Sequence, residues 1–286
     1  MDYAPFINYK DFKLPLQIDV LDVIYVMEGF KPVTRISLPA EHLDIFRQFC
    51  EANHLLYKLA DFKIQHIEDK GKNGFSNSLK MVDPVQIDAD FVIFITRNPD
   101  HIKTDFTALP DKEFGRLLGY PECCLEFYEK YKESAGQYQM DFVPFSVTEF
   151  KKYSFYTNYF LRYFNYTVIS HFPCSCACNA TIEIGRRNFQ FFQKTMPEVA
   201  DIMAENLKTA ILYTETGGIY YFKEYLLENS ILGKKLQFDN FEASQTDSEI
   251  YQLLSKNKFL DIISHDKVII GNRLFYRDNL RIAIFE

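Results

Sequence analysis

The sequence predicts an α+β fold in which a helical, cysteine-bearing centre is flanked by an N-terminal α/β unit and a C-terminal antiparallel β-rich region. Three observations support this prediction. Runs rich in Val, Ile, Phe and Tyr occur towards both ends of the chain, proline and capping residues open helices in the middle, and glycine-containing pairs join neighbouring β-rich runs near the C-terminus. The predicted regions are residues 1–98, 99–208 and 209–286, which can pack as one domain or two.

The N-terminal region combines strand-like runs with one amphipathic helix. Its predicted strands are residues 20–29, 55–68 and 88–97, which are rich in β-branched and aromatic side chains. Residues 39–54 place apolar side chains at helical spacing, and Cys50 on that face is expected to be a small buried hydrophobe. Gly, Asn, Ser and charged residues at 69–78 predict an exposed loop.

Helix signals dominate the central region. Asp111 can cap a short helix that stops at Gly119, and Pro121 suits the first position of the next helix, where its missing N–H costs nothing. Cys123 and Cys124 then fall in a first helical turn.

A second pair of helices is predicted further along the centre. One runs from about 179 to 192, and a Thr-x-x-Glu capping box formed by Thr195 and Glu198 opens the other, through about Leu207.

The C-terminal region returns to β-rich patterns. Residues 210–222 contain two such runs joined across Gly217-Gly218, a pattern that predicts a β-hairpin. Residues 267–277 predict a second hairpin that turns around Gly271. Residues 248–257 predict an intervening helix.

Composition narrows the classes of function. A net charge of -7 disfavours a broad electrostatic grip on nucleic acid. No apolar run approaches the ~20 residues of a membrane span, and the first residues lack the pattern of a signal peptide, so we expect a cytoplasmic protein with no membrane segment. In that reducing compartment, clustered cysteines more often bind metal or perform thiol chemistry than form disulfides.

Five of the six cysteines form two tight clusters, one at 123 and 124 and the other at 174, 176 and 178. Four thiolates complete a tetrahedral zinc site or hold an iron–sulfur cluster, and both clusters follow a proline that can open a helix, whose N-terminus stabilises thiolate. The spacing does not match the common zinc-ribbon or ferredoxin patterns. A shared metal or cluster is the first hypothesis, with a redox-active dithiol or thiolate nucleophile and inert packing or disulfides as alternatives. The predicted metal ligands are Cys123, Cys124, Cys174 and Cys178.

Neighbouring residues suggest chemistry around this centre. His171 can ligate the metal or transfer protons, and Cys176 is the thiol left over once four ligands are assigned, so both are candidate catalytic residues. Arg186 and Arg187 follow two to three helical turns later and can hold a carboxylate or phosphate of a small anionic substrate, although a solvated helix face is the simpler interpretation.

These residues resemble a prokaryotic domain family with an uncharacterised function, which carries a Leu-Gly-Tyr-Pro-x-Cys-Cys stretch followed by a His-x-Pro-Cys-Ser-x-x-Cys stretch. The resemblance covers approximately residues 110–200. It implies that Cys176 occupies a variable position and is dispensable, and it implies no reaction. The matching residues are Leu118, Gly119, Tyr120, Pro121, Cys123 and Cys124, then His171, Pro173, Cys174, Ser175 and Cys178.

Two classes of function remain open. A metal- or cluster-dependent enzyme would activate a small anionic substrate or pass electrons, whereas a non-enzymatic scaffold with a closed structural zinc would bind a partner protein through its β-rich regions. A thiol-redox protein is a further alternative.

Overall fold

The computed structural model describes residues 17–66, 79–138, 140–214, 218–276 and 280–286. It confirms the α+β prediction, with antiparallel sheets in the N- and C-terminal regions and helices between them. The described chain forms two compact units, one of residues 17–66 and 79–129 and the other from residue 130 onward. Among the described helices, none is both long and apolar enough to cross a bilayer.

The elements are numbered in chain order. The helices are α1 (Gln17–Met27), α2 (Leu43–Ala52), α3 (Pro99–Ile102), α4 (Asp111–Leu117), α5 (Glu122–Gly136), α6 (Val143–Ser146), α7 (Asn179–Thr195), α8 (Pro197–Leu207) and α9 (Glu249–Asn257), with 3-10 turns at Ala40–His42, Phe155–Thr157 and Phe160–Phe164. The strands are β1 (Val33–Leu38), β2 (Leu56–His66), β3 (Leu79–Val82), β4 (Asp90–Thr96), β5 (Lys152–Tyr153), β6 (Ala210–Thr214), β7 (Gly218–Phe222), β8 (Tyr225–Ser230), β9 (Gly233–Phe238), β10 (Glu242–Ala243), β11 (Phe259–Ser264), β12 (Lys267–Ile270), β13 (Arg273–Tyr276) and β14 (Arg281–Phe285).

The first unit is built on a four-stranded antiparallel sheet in the order β1-β4-β2-β3. Strands β2 and β4 and helix α2 confirm the predictions for residues 55–68, 88–97 and 39–54, and Cys50 is fully buried as expected. The predicted loop at 69–78 lies outside the described residues.

The predicted strand at residues 20–29 is wrong, because this segment belongs to helix α1. Every residue from 20 to 27 is buried. Because residues 20–27 are all buried, few polar positions mark a 3.6-residue period, and their β-branched and aromatic composition imitates a strand.

The second unit contains two five-stranded sheets. Their orders are β10-β7-β6-β14-β5, in which only the β14–β5 pair is parallel, and β13-β12-β11-β9-β8, which is wholly antiparallel. The hairpins predicted at 210–222 and 267–277 are confirmed as the β6–β7 and β12–β13 pairs, and the predicted helix at 248–257 is α9. Side chains from both sheets and from α9 share one core, which includes Leu212, Phe222, Leu236, Leu254 and Ile282.

Helices α7 and α8 follow their predicted bounds closely, but the predicted capping box does not form. The Thr195 hydroxyl donates instead to the Phe191 carbonyl inside α7 (2.8 Å), and Met196 is the N-cap of α8. Pro197 then occupies the first turn of α8, as its fixed φ allows.

Candidate metal centre

The turn between α4 and α5 places the first cysteine pair. Helix α4 ends in a Schellman motif, in which the Gly119 N–H donates to the Arg116 carbonyl and the Tyr120 N–H donates to the Gly115 carbonyl, each at 3.0 Å. Gly119 has a φ of +75°, in the left-handed region that glycine adopts without strain. The chain therefore reverses within two residues and delivers Pro121 to the start of α5.

Pro121 directly precedes α5, which begins at Glu122, so it lies one position before the first helical position that the sequence predicts. Its carbonyl accepts the first bonds of the helix, from the N–H groups of Cys124 (2.9 Å) and Leu125 (3.0 Å). Both cysteines lie in this first turn, and their sulfur atoms are 4.0 Å apart. That separation is about twice a disulfide bond length, so the sulfurs approach each other without being bonded. Cys124 is buried and Cys123 is exposed.

A turn before α7 supplies the second pair. The Cys178 N–H donates to the Ser175 carbonyl (2.9 Å), and Cys178 is the N-cap of α7, where its carbonyl accepts from the Ile182 N–H (2.9 Å). The sequence left open whether residues 174–178 are helical or extended. The turn is a third arrangement, in which Cys178 is buried and Cys174 is partly exposed.

One hydroxyl and one backbone carbonyl of the second unit hold this turn. The Cys176 N–H donates to the Ser146 carbonyl (3.3 Å), and the Thr157 hydroxyl donates to the Cys176 carbonyl (2.7 Å). The Ser146 hydroxyl in turn forms a hydrogen bond with the hydroxyl of Tyr159 (2.5 Å). Sequence reasoning missed Ser146 and Thr157, and no pattern around them signals the contact.

The four predicted ligands converge. The sulfur atoms of Cys123, Cys124, Cys174 and Cys178 all lie within 4.8 Å of one another, and this group could hold a metal ion. The two cysteine clusters, which are separated in the sequence, therefore contribute to one group in space.

Both arms of the centre lie at helix N-termini, where the helix dipole is positive. Cys123 and Cys124 lie in the first turn of α5, and Cys178 is the N-cap of α7. Glu122, next to Cys123, accepts two hydrogen bonds from Arg116 (3.0 and 2.9 Å) and pairs with Lys112 (2.6 Å). These contacts lower the pKa of Glu122 to about 2 and direct its charge towards the two cations.

His171 is buried near the second pair but is not a member of the four-sulfur group. Its Nε2 atom forms a hydrogen bond with the Thr181 hydroxyl in α7 (2.9 Å). This contact orients the ring towards the helix, and a catalytic or ligand role for His171 stays a prediction.

Cys176 belongs to the same turn but is not a member of the four-sulfur group. Its side chain is fully buried, and burial raises the pKa of its thiol well above the usual range. A raised thiol pKa lowers the fraction of reactive thiolate. A catalytic role for Cys176 stays a prediction.

Arg186 and Arg187 both contact side chains of their own helix. Arg186 is half exposed and pairs loosely with Glu183 (3.7 Å), while the Nε and Nη2 atoms of Arg187 donate to the Asn188 amide oxygen (3.2 and 2.9 Å). Binding of an anionic substrate by these residues stays a prediction.

Comparisons of the chain with protein-family models, curated proteins and solved structures found no match. The case for the centre therefore depends on its own geometry and chemistry.

Proposed function

We propose that Cys123, Cys124, Cys174 and Cys178 bind one zinc ion tetrahedrally and that this zinc is structural. The observation that carries the proposal is the mutual distance of at most 4.8 Å between the four sulfurs. Thiolates about 2.3 Å from a single zinc ion have sulfurs about 3.8 Å apart in a tetrahedron. The 4.0 Å separation of Cys123 and Cys124 is close to this value, and the remaining distances need to shorten by about 1 Å at most.

The same distances favour a single ion over an iron–sulfur cluster. In a cluster the four thiolates are divided among two or four irons bridged by inorganic sulfide, so sulfurs on different irons stand further apart than those of four thiolates that share one ion. The compact group matches the single-ion arrangement better.

A structural role is supported by the ligand count. Four thiolates fill a tetrahedral zinc site and leave no open position for a substrate or water, whereas catalytic zinc sites keep one. The zinc would tie the first turn of α5 to the turn before α7, which are about fifty residues apart in the sequence. We therefore favour the non-enzymatic scaffold over the metal-dependent enzyme.

Metal analysis of the purified protein tests the proposal. We expect a colourless protein with one zinc per chain, and after cobalt exchange the visible absorption of a tetrahedral cobalt thiolate. Cys124→Ser should lose the metal, while the matched control Cys50→Ala, which removes a buried cysteine outside the group, should keep it. A brown protein that contains iron and labile sulfide would show that the cysteines hold an iron–sulfur cluster instead of zinc. A metal-free protein would refute the proposal altogether.

A further inference from the structure

The turn that precedes the Cys123-Cys124 pair lies over a buried ion pair in the first unit. Lys31 donates to Asp22 (2.8 Å), both side chains are less than a tenth exposed, and the Thr34 hydroxyl also donates to Asp22 (3.1 Å). The Lys31 ammonium lies 5.1 Å from the centre of the Tyr120 ring, within the range of a cation–π contact. The Lys31 side chain also passes beneath Gly119, whose added Cβ would lie 3.7 Å from the Lys31 Cγ.

A gain in folding stability does not by itself explain the buried Lys31–Asp22 ion pair. Removing two charges from water costs several kcal/mol per ion, and replacing a buried pair by apolar residues is often neutral or stabilising. A buried pair does, however, restrict the position of what it contacts, because a buried charge that moved away from its partner would lose the interaction that offsets its desolvation. Here the contacted group is the ring of Tyr120.

We propose that Lys31, held by Asp22, is a positioning residue for the metal centre. It fixes the Tyr120 ring and so sets the direction in which α5 begins. This inference rests on the proposed zinc function and adds how its first two ligands are aimed.

The backbone between Tyr120 and the first two cysteine ligands is short and has little conformational freedom. Pro121 follows directly with a fixed φ, and its carbonyl is bonded to the N–H groups of Cys124 and Leu125. Leu125 packs so closely on Gly115 of α4 that an added Cβ there would lie 2.3 Å from its Cδ2 atom. A rotation of Tyr120 is therefore transmitted to the first turn of α5 with little room for it to be absorbed.

Two sets of variants test the inference. In the double variant Lys31→Met with Asp22→Asn, both charges are removed together, so no unpaired buried charge remains. We expect its zinc affinity, measured by chelator competition, to fall by about 10-fold or more, as for other groups that orient metal ligands. The melting temperature of the metal-free protein should change little. The control Lys103→Met with Asp100→Asn removes an exposed ion pair of the same unit, and should leave the affinity unchanged.

Tyr120 gives an independent comparison if the double variant does not fold. Tyr120→Phe keeps the ring and should retain wild-type zinc affinity and cobalt spectrum, while Tyr120→Leu should lose affinity and shift the cobalt bands. Wild-type affinity in both the double variant and Tyr120→Leu would overturn the inference while leaving the zinc site intact. Absence of zinc from the wild-type protein would instead overturn the proposed function itself.

Discussion

Cys178 offers a substitution whose effects on metal binding and on folding have opposite signs. It is a proposed zinc ligand and also the N-cap of α7, with extended backbone angles (φ -65°, ψ 112°) and no side-chain capping bond. Serine is among the best N-cap residues because its hydroxyl accepts from an N–H of the first turn. Cys178→Ser should therefore weaken zinc binding and stabilise the metal-free protein.

Both magnitudes follow from the site. Structural zinc contributes about 10–16 kcal/mol of apparent binding free energy, so an equal share for each of four ligands is about 2.5–4 kcal/mol. At about 1.4 kcal/mol per decade, removing one thiolate lowers the affinity by two to three decades. A gained N-cap bond contributes about 1 kcal/mol, which corresponds to a rise of about 2–4 °C in the melting temperature of the metal-free protein.

Cys174→Ser is the matched control, since it removes a thiolate from the same turn but occupies no capping position. Both variants are compared by chelator competition and by thermal unfolding after zinc removal. We expect similar losses of affinity and a higher melting temperature only for Cys178→Ser. Wild-type affinity in Cys178→Ser would refute its place in the ligand set, and equal melting temperatures of the two metal-free variants would refute the capping argument.

Further predictions concern the turn, a buried thiol and a buried carboxyl. Gly119→Ala should lower the unfolding free energy by about 1–2 kcal/mol in thermal unfolding, because φ is +75° there, whereas Gly136→Ala, with nothing within 4 Å of the new Cβ, should not destabilise. Cys50 should resist iodoacetamide in the folded protein, as followed by mass spectrometry, since burial raises its pKa to about 12, and rapid labelling would contradict its burial. Burial also raises the pKa of Asp141 above its unfolded value of about 3.9, so the folded state binds this proton more tightly and stability is lost as pH rises from the unfolded to the folded pKa. The unfolding free energy of Asp141→Asn, measured in denaturant, should therefore improve relative to wild type as pH rises through that window, and a pH-independent difference would contradict the assignment.

The four proposed metal ligands could be predicted from the sequence because clustered cysteines are recognisable as metal ligands by residue type alone. Adjacent side chains diverge by about 100° on a regular helix, so Cys123 and Cys124 can share a centre only at a helix end. Pro121 signals that end in the sequence, and the structure has it there. The turn geometry of residues 174–178 was not predictable. Cys176 donates to the Ser146 carbonyl and accepts from the Thr157 hydroxyl, and these two partners are distant in the sequence and follow no periodic pattern.

In the fold, too, features set by local sequence could be predicted, whereas features set by tertiary packing could not. The hairpins at Gly218 and Gly271 were predictable since positive φ values demand glycine at such turns. Helix α1 was not, because residues 20–27 are all buried and leave no exposed polar face from which helix periodicity could be recognised. The ion pair of Asp22 and Lys31 was also missed, since two charged residues nine positions apart do not indicate that both will be buried.

Coulomb repulsion between the four sulfur atoms, if they are ionised, supports the proposed zinc ion. Two thiolates 4.0–4.8 Å apart repel each other by about 3–4 kcal/mol at an effective dielectric constant of 20, and four thiolates form six such pairs, for roughly 20 kcal/mol in total. That exceeds the 5–15 kcal/mol by which a whole domain is stable. The N-termini of α5 and α7 together supply only about one positive charge. If all four thiols are ionised, a bound metal ion is therefore needed to keep them this close.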